Sequence, residues 1–116
     1  MERSPRPALR AILEAIDGIE NAIHGKTVAD YGSDWLLRHG VQRGIEIISE
    51  AARRVPIELQ ATRPEVPWMQ IMGIGNVLRH EYHRISDGVV WNVVRDHLAP
   101  LKAAALAIEA ALDDKT

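Results

Sequence analysis

The sequence holds 116 residues, with 14 basic and 16 acidic side chains, a formal charge of -2 and no cysteine. That length suits one domain burying roughly two-thirds of its unfolded surface; the charge excludes a global positive field that would hold nucleic acid nonspecifically, and the missing thiols exclude a disulfide framework and a thiolate metal site. Apolar runs fall far short of a membrane span, and Met1 to Arg10, with three arginines, leads into no signal-type hydrophobic segment, so the expectation is a soluble cytoplasmic protein without membrane contact.

The predicted elements are almost all helical. Ser4 and Pro5 make a helix start, because serine caps free backbone N–H groups and proline loses nothing in the first turn. Leu9, Ile12, Leu13, Ile16, Ile19 and Ile23 then recur at helical spacing up to Gly25, which predicts a helix over about 5–24. After a short linker, Leu37, Val41, Gly44, Ile45, Ile48, Ala52 and Val55 form a second stripe ending at Pro56, which places a helix at about 33–55. Gly40 and Gly44 on or beside this stripe predict a tight helix crossing. An extra short helical turn is expected around 57–62. The segment "TRPEVPW" is turn material, and Pro67 suits the first turn of a helix over about 67–82. Ser86 and Asp87 offer a fresh cap, and the stripe Val90, Val94, Leu98, Leu101, Ala105, Ile108 and Leu112 predicts a last helix over about 87–112, with a kink at Pro100.

No alternating strand pattern and no repeat is present. The expected fold is therefore a single all-α domain over 1–116, a four-helix antiparallel bundle with one additional helical turn, since short connections favour antiparallel neighbours. Five aromatic residues, none of them Phe, require a mostly aliphatic core. Trp35, Trp68 and Trp91 read as packing residues at helix ends, and His24, His39 and His97 as solvent-facing.

Chemistry concentrates in "GIGNVLRHEYHRI", residues 73–85. Asn76 and His80 lie four apart on one helix face, with His83 a further turn along. The zincin pattern requires histidines four apart with glutamate directly after the first, whereas here the spacing is three and no third ligand offers itself, so no metal or other cofactor is expected. A histidine that only satisfies buried polar groups remains the alternative. On the preceding helix, Arg43 and Glu46 share a flank at a spacing of three, with Glu50 a turn later. They form either a polar seam facing the motif helix or ordinary surface ion pairs.

The order Asn, three residues, His-Glu-Tyr within "IMGIGNVLRHEY", preceded by "AARRV" and "PEVPW" and followed by "VVWNVVRDHLAPLK", resembles the HepT family of HEPN-domain proteins over nearly the whole chain. The resemblance implies a HEPN-like fold and the toxin of a type VII toxin–antitoxin module. It further implies a metal-independent endoribonuclease, a homodimer, and a small nucleotidyltransferase antitoxin of the MntA type as partner. Metal-free RNA cleavage needs a base for the ribose 2′-hydroxyl, an acid for the leaving 5′-oxygen and positive charge at the phosphorane. On the match, His80 is the catalytic histidine, Asn76 orients it or the phosphate, and Tyr82 is the tyrosine to which the antitoxin transfers AMP.

The family pattern of arginine, four residues, histidine, one residue, tyrosine puts its arginine at position 75, where this chain has Gly75. Losing such a donor costs on the order of a hundredfold to a thousandfold in rate. Three explanations stand open: a crippled natural member, a member in which Arg79 or Arg84 supplies the charge, with Arg43 a further phosphate-binding candidate, or an engineered replacement of a larger residue. Arg79 lies about 100° around the helix from His80, so within one chain it is a poor substitute. Two functions from different classes follow: an RNA-cleaving toxin impaired at position 75, or a noncatalytic subunit that docks a nucleotidyltransferase and presents Tyr82 or helps bind nucleotide. A helical adaptor is a third.

Overall fold

The computed structural model describes residues 4–81 and 85–114, which form six helices: α1 (Arg6–Ile23), α2 (Val28–Ser33), α3 (Trp35–Arg53), α4 (Ile57–Gln60), α5 (Trp68–Glu81) and α6 (Asp87–Asp114). No strand occurs among the described residues. The four long helices and the short α4 match the expected ranges to within a few residues. Ser4 Oγ accepts the Arg6 N–H at 3.2 Å, while Pro5 is the cap residue and Pro7 sits in the first turn. Gly25, at φ 73°, turns the chain after α1. At the other end of the chain, Ser86 Oγ accepts the Val89 N–H at 3.2 Å and opens α6. That helix continues through Pro100 to Asp114.

The linker of the sequence reading contains a helix of its own. In "TVAD", Thr27 Oγ1 accepts the Asp30 N–H at 3.1 Å and Asp30 Oδ2 accepts the Thr27 N–H at 2.9 Å. This reciprocal capping box satisfies two otherwise free donors and nucleates α2. Its purpose is Tyr31, fully buried and packed against the Trp91 ring with centroids 5.7 Å apart.

Polar pairings fix the helix directions. Along α1 and α6, Arg6 meets Asp113 at 2.6 Å, Arg10 meets Glu109 at 3.3 Å, and Lys102 reaches Asp17 at 2.9 Å and Glu20 at 3.4 Å. Numbers rise on one helix as they fall on the other, so the two run antiparallel. Across α3 and α5, Glu46 faces Arg79, and Ser49 and Arg53 both donate to the Met72 carbonyl, at 2.8 and 2.7 Å. That pair is antiparallel too. The α1–α3 pair is the spine, with α6 leaning chiefly on α1 and α5 chiefly on α3.

The core is aliphatic, as five aromatics in the chain require: Leu9, Ile12 and Ile16 of α1, Val41, Ile45 and Ile48 of α3, and Val90, Leu98, Leu101 and Ile108 of α6 are all buried. Gly44 does mark a tight crossing, because a Cβ there would come to 2.8 Å from Ile19 Cδ1, whereas Gly40 has open space around it. Trp68 and Trp91 are packing residues, and the Trp68 Nε1–H donates to the Arg63 carbonyl at 3.0 Å, holding the start of α5. Trp35 departs from expectation. It is 64% exposed at the first turn of α3, where Asp34 already satisfies the cap by accepting the Leu37 N–H at 3.0 Å, and no core lies within its reach.

Candidate active site

Helix α5 buries only Trp68, Gly75 and Leu78. Spacings of seven and three keep these residues in one narrow stripe, and that stripe lies against α3. Ile71, Met72 and Ile74 are partly buried against the core beside that stripe, and the opposite side of the helix faces outward, including Met69, 82% exposed. Asn76 and His80, four apart, both sit on this outward side. Among the described residues, neither side chain has a hydrogen-bond partner. His80 is thus not a histidine satisfied inside a core. Its ring nitrogens and the Asn76 amide are open to a substrate, which suits proton transfer by one and hydrogen bonding to a phosphate oxygen by the other.

Arg79 turns the other way. Its Nε lies 3.9 Å from Glu46 Oε1 on α3, and Arg43 Nη1 approaches the same oxygen at 3.6 Å. The polar seam between Arg43, Glu46 and the motif helix is therefore real, and Glu46, with its side chain only 18% exposed, is its centre. Two adjoining depressions of about 400 and 440 Å³ share Arg43, Glu46 and Arg79 and extend to His39 and Gln42 at one end and to Glu50 and Arg54 at the other. Together they make one trough along the α3–α5 crossing. The guanidiniums can meet phosphate oxygens there, but Arg79 is not brought beside His80 within one chain, as the helix geometry predicts.

Gly75 faces α3. A Cβ built on it would run into Cβ and Oγ of Ser49 and come to 3.5 Å from the Glu46 Cα. Ser49 is itself 2% exposed and tied to Met72. The glycine permits the close approach of α5 to α3. A side chain at position 75 would leave the crossing beside Glu46, the carboxylate that Arg79 and Arg43 now share.

Tyr82, His83 and Arg84 lie outside the described residues. No group of three His, Asp or Glu among the described residues could hold a metal ion. His24 and His97 are exposed, whereas His39 is half-buried, because its ring stacks on Trp35. Sequence reading also missed Tyr31. Burial pushes its phenol above the usual value, a shift opposed by Gln42, reinforced by the Asp87 carboxylate and opposed again by Arg38. Through its ring contact with Trp91, Tyr31 ties α2 to the first turns of α6, just beyond the motif.

Fold and site define an all-helical protein that presents a solvent-facing Asn–His pair on a flanking helix, next to a trough carrying arginines. Comparison with known proteins gives this class its family: the chain belongs to the HepT-like ribonucleases of the HEPN superfamily, whose model, described as ribonuclease HepT-like, matches residues 12–108. A probable ribonuclease HepT of Thermococcus cleftensis is 31% identical over 102 residues, covering 88% of this chain and 93% of its own. A protein of Caldanaerobacter subterraneus named a putative RNase is 29% identical over 100 residues, covering 86% and 89%. A Methanocaldococcus jannaschii protein named a gamma-glutamylcyclotransferase and putative RNase is 32% identical over 113 residues; the match takes in 97% of this chain but 51% of that protein. No solved structure matches the chain.

Proposed function

We propose that this protein is the toxin of a type VII toxin–antitoxin module and cleaves RNA without a metal, at a reduced rate because position 75 carries no arginine. The observation that carries the reading is the solvent-facing Asn76–His80 pair on α5, without a hydrogen-bond partner among the described residues, in a chain of the HepT-like family. His80 moves the proton, Asn76 holds His80 or the phosphate in place, and positive charge comes from Arg79 and Arg43, with Arg84 a further contributor. Since Arg79 points away from His80 in its own subunit, a homodimer that sets two α5 faces across a two-fold axis supplies the missing arrangement. An MntA-type nucleotidyltransferase acts as antitoxin in the cytoplasm by transferring AMP to Tyr82, which sets negative charge and bulk against the path of the RNA phosphates.

The experiment is RNA cleavage in EDTA by the parent chain and by His80→Ala. Cleavage by the parent that disappears in the variant is expected; cleavage that survives His80→Ala moves the chemistry to another residue.

A second reading is favoured by one observation, the closed crossing at Gly75. With no room for the family's arginine, the chain would serve as a noncatalytic subunit that docks the nucleotidyltransferase and offers Tyr82 or part of a nucleotide site. It is the correct reading if the parent shows no His80-dependent cleavage yet still takes AMP.

A further inference from the structure

Two of the three tryptophans are 7% and 8% exposed, and the third, Trp35, is 64% exposed. An indole left in water, contributing nothing to the core, invites a question about what else would cover it. The ring is not loose. It stacks on the His39 imidazole with centroids 4.1 Å apart and planes 28° from parallel, and His39 Nδ1 donates to the Trp35 carbonyl at 2.8 Å. A flat aromatic step is thereby held on the surface before any ligand arrives, with one face of the indole free.

Position along α3 says what the step adjoins. Trp35, His39, Arg43 and Glu46 follow one another at intervals of four, four and three, so they form a single stripe along one side of the helix. His39 and Arg43 line the trough that also holds Arg79. From Trp35 to Arg43 is roughly 12 Å along the helix axis at 1.5 Å per residue. The stripe that leaves the indole on its own side of α3 is imidazole, guanidinium and carboxylate, while the exposed Leu36 beside it lines a separate apolar groove between α1 and α3. A planar ring beside cationic groups that track a backbone is the pairing that single-stranded nucleic acids use, because every base has a face to stack and every nucleotide a phosphate to neutralise.

We propose that Trp35, pinned by His39, is a base-stacking subsite for single-stranded RNA, set at the end of the Arg43–Arg79 trough so that a strand whose phosphates lie in the trough lays an unpaired base on the indole. The proposal rests on the ribonuclease reading above, and it adds a substrate class: RNA with unpaired bases at a fixed reach from the cleavage site. Stacking on a π-face tolerates any base, so the subsite selects for single-strandedness and not for sequence.

The test measures binding by fluorescence anisotropy in the His80→Ala background, where the RNA stays intact. Two labelled probes of equal length are used, a short single-stranded RNA and an abasic ribose–phosphate strand. Trp35→Ala should weaken RNA binding by about tenfold, and Trp35→Phe by no more than about threefold, as expected for a stacked base. Neither change should alter binding of the abasic strand, the melting temperature or the mass in solution. If Trp35→Ala binds RNA as tightly as its parent, the subsite is refuted while the ribonuclease reading stands. Equal losses on both probes, or a changed mass, would make Trp35 a protein contact and also overturn the proposal. If the unsubstituted chain neither binds nor cleaves RNA, the ribonuclease reading falls and takes the subsite with it.

Discussion

At the scale of single residues, position 75 carries the most information. A helix-interior glycine costs about 1 kcal/mol relative to alanine, and sequence alone offers no return for that cost. The return is visible only across the α3–α5 crossing, where Ser49 occupies the space a Cβ would take. Gly75→Ala is therefore expected to destabilise the fold by about 1 kcal/mol net, an overpacking cost of about 1–3 kcal/mol exceeding the propensity gain. In a Ser49→Gly background the overlap is gone, and the same substitution should instead stabilise by about 1 kcal/mol. Urea unfolding of the four proteins measures both signs; alanine stabilising the parent would show that the crossing is not tight. Legibility at this scale divides cleanly. The identity of the Asn76–His80 pair could be read from spacing, and so could the Arg43–Glu46 flank, since both lie within single helices. That Arg79 joins the flank, and that Ser49 closes on Gly75, depend on how α3 and α5 meet, which no periodicity within one helix encodes.

At the scale of elements, the long helices were legible because their apolar stripes are long and regular, while α2 was not, because six residues contain under two turns and give no period to detect. Its signal was the capping box at Thr27 and Asp30. Trp35 was misplaced for a related reason: a tryptophan at a helix start looks the same in sequence whether the core reaches it or not. The anchoring of α2 through Tyr31 has a pH signature. Burial raises the phenol's pKa in the folded chain, so the folded state holds its proton more tightly than the unfolded state does. Tyr31 then contributes stability that is whole below about pH 10, the ordinary tyrosine value, and is lost as pH rises from there through the folded pKa. Lys102, whose pKa is raised by hydrogen bonds to and charge attraction from Asp17 and by the same from Glu20, loses its contribution in the same direction at high pH, so the comparison must be made against a variant. Thermal melts from pH 8 to 11 should show a smaller alkaline loss in Tyr31→Phe than in the parent. Parallel curves would mean that the phenol is as free to ionise in the fold as in the unfolded chain.

At the scale of the whole molecule, the described residues extend 47 × 29 × 22 Å, with a radius of gyration of 14.5 Å, somewhat longer than the roughly 13 Å of a typical compact domain near this length. The elongation follows from α6, whose 28 residues run about 42 Å at 1.5 Å each. Helix α5, packed chiefly on α3, keeps Asn76 and His80 exposed, and the proposed homodimer would set a second copy against that side. A solution mass of twice the chain is the corresponding expectation. Incubation with a cognate nucleotidyltransferase and ATP should add AMP in whole steps of intact mass, and Tyr82→Phe should abolish the additions; adducts that persist in that variant place the modification on another residue. The family was legible in sequence because its landmarks are strung along the chain in order. The consequence of the glycine was not, because position 75 and the α3 surface against it are far apart in sequence and are brought together only by the fold.

The central claim is that His80 drives metal-independent RNA cleavage and that this cleavage is limited by absent charge at position 75. The most direct test is the RNA cleavage rate in EDTA for Ser49→Gly, where the crossing has room, beside Ser49→Gly with Gly75→Arg, and for the latter with His80→Ala added. A preorganised guanidinium at the phosphate should raise the rate by at least about tenfold, and loss of His80 should remove the activity altogether. Equal rates with and without the arginine, or cleavage that survives His80→Ala, would contradict it.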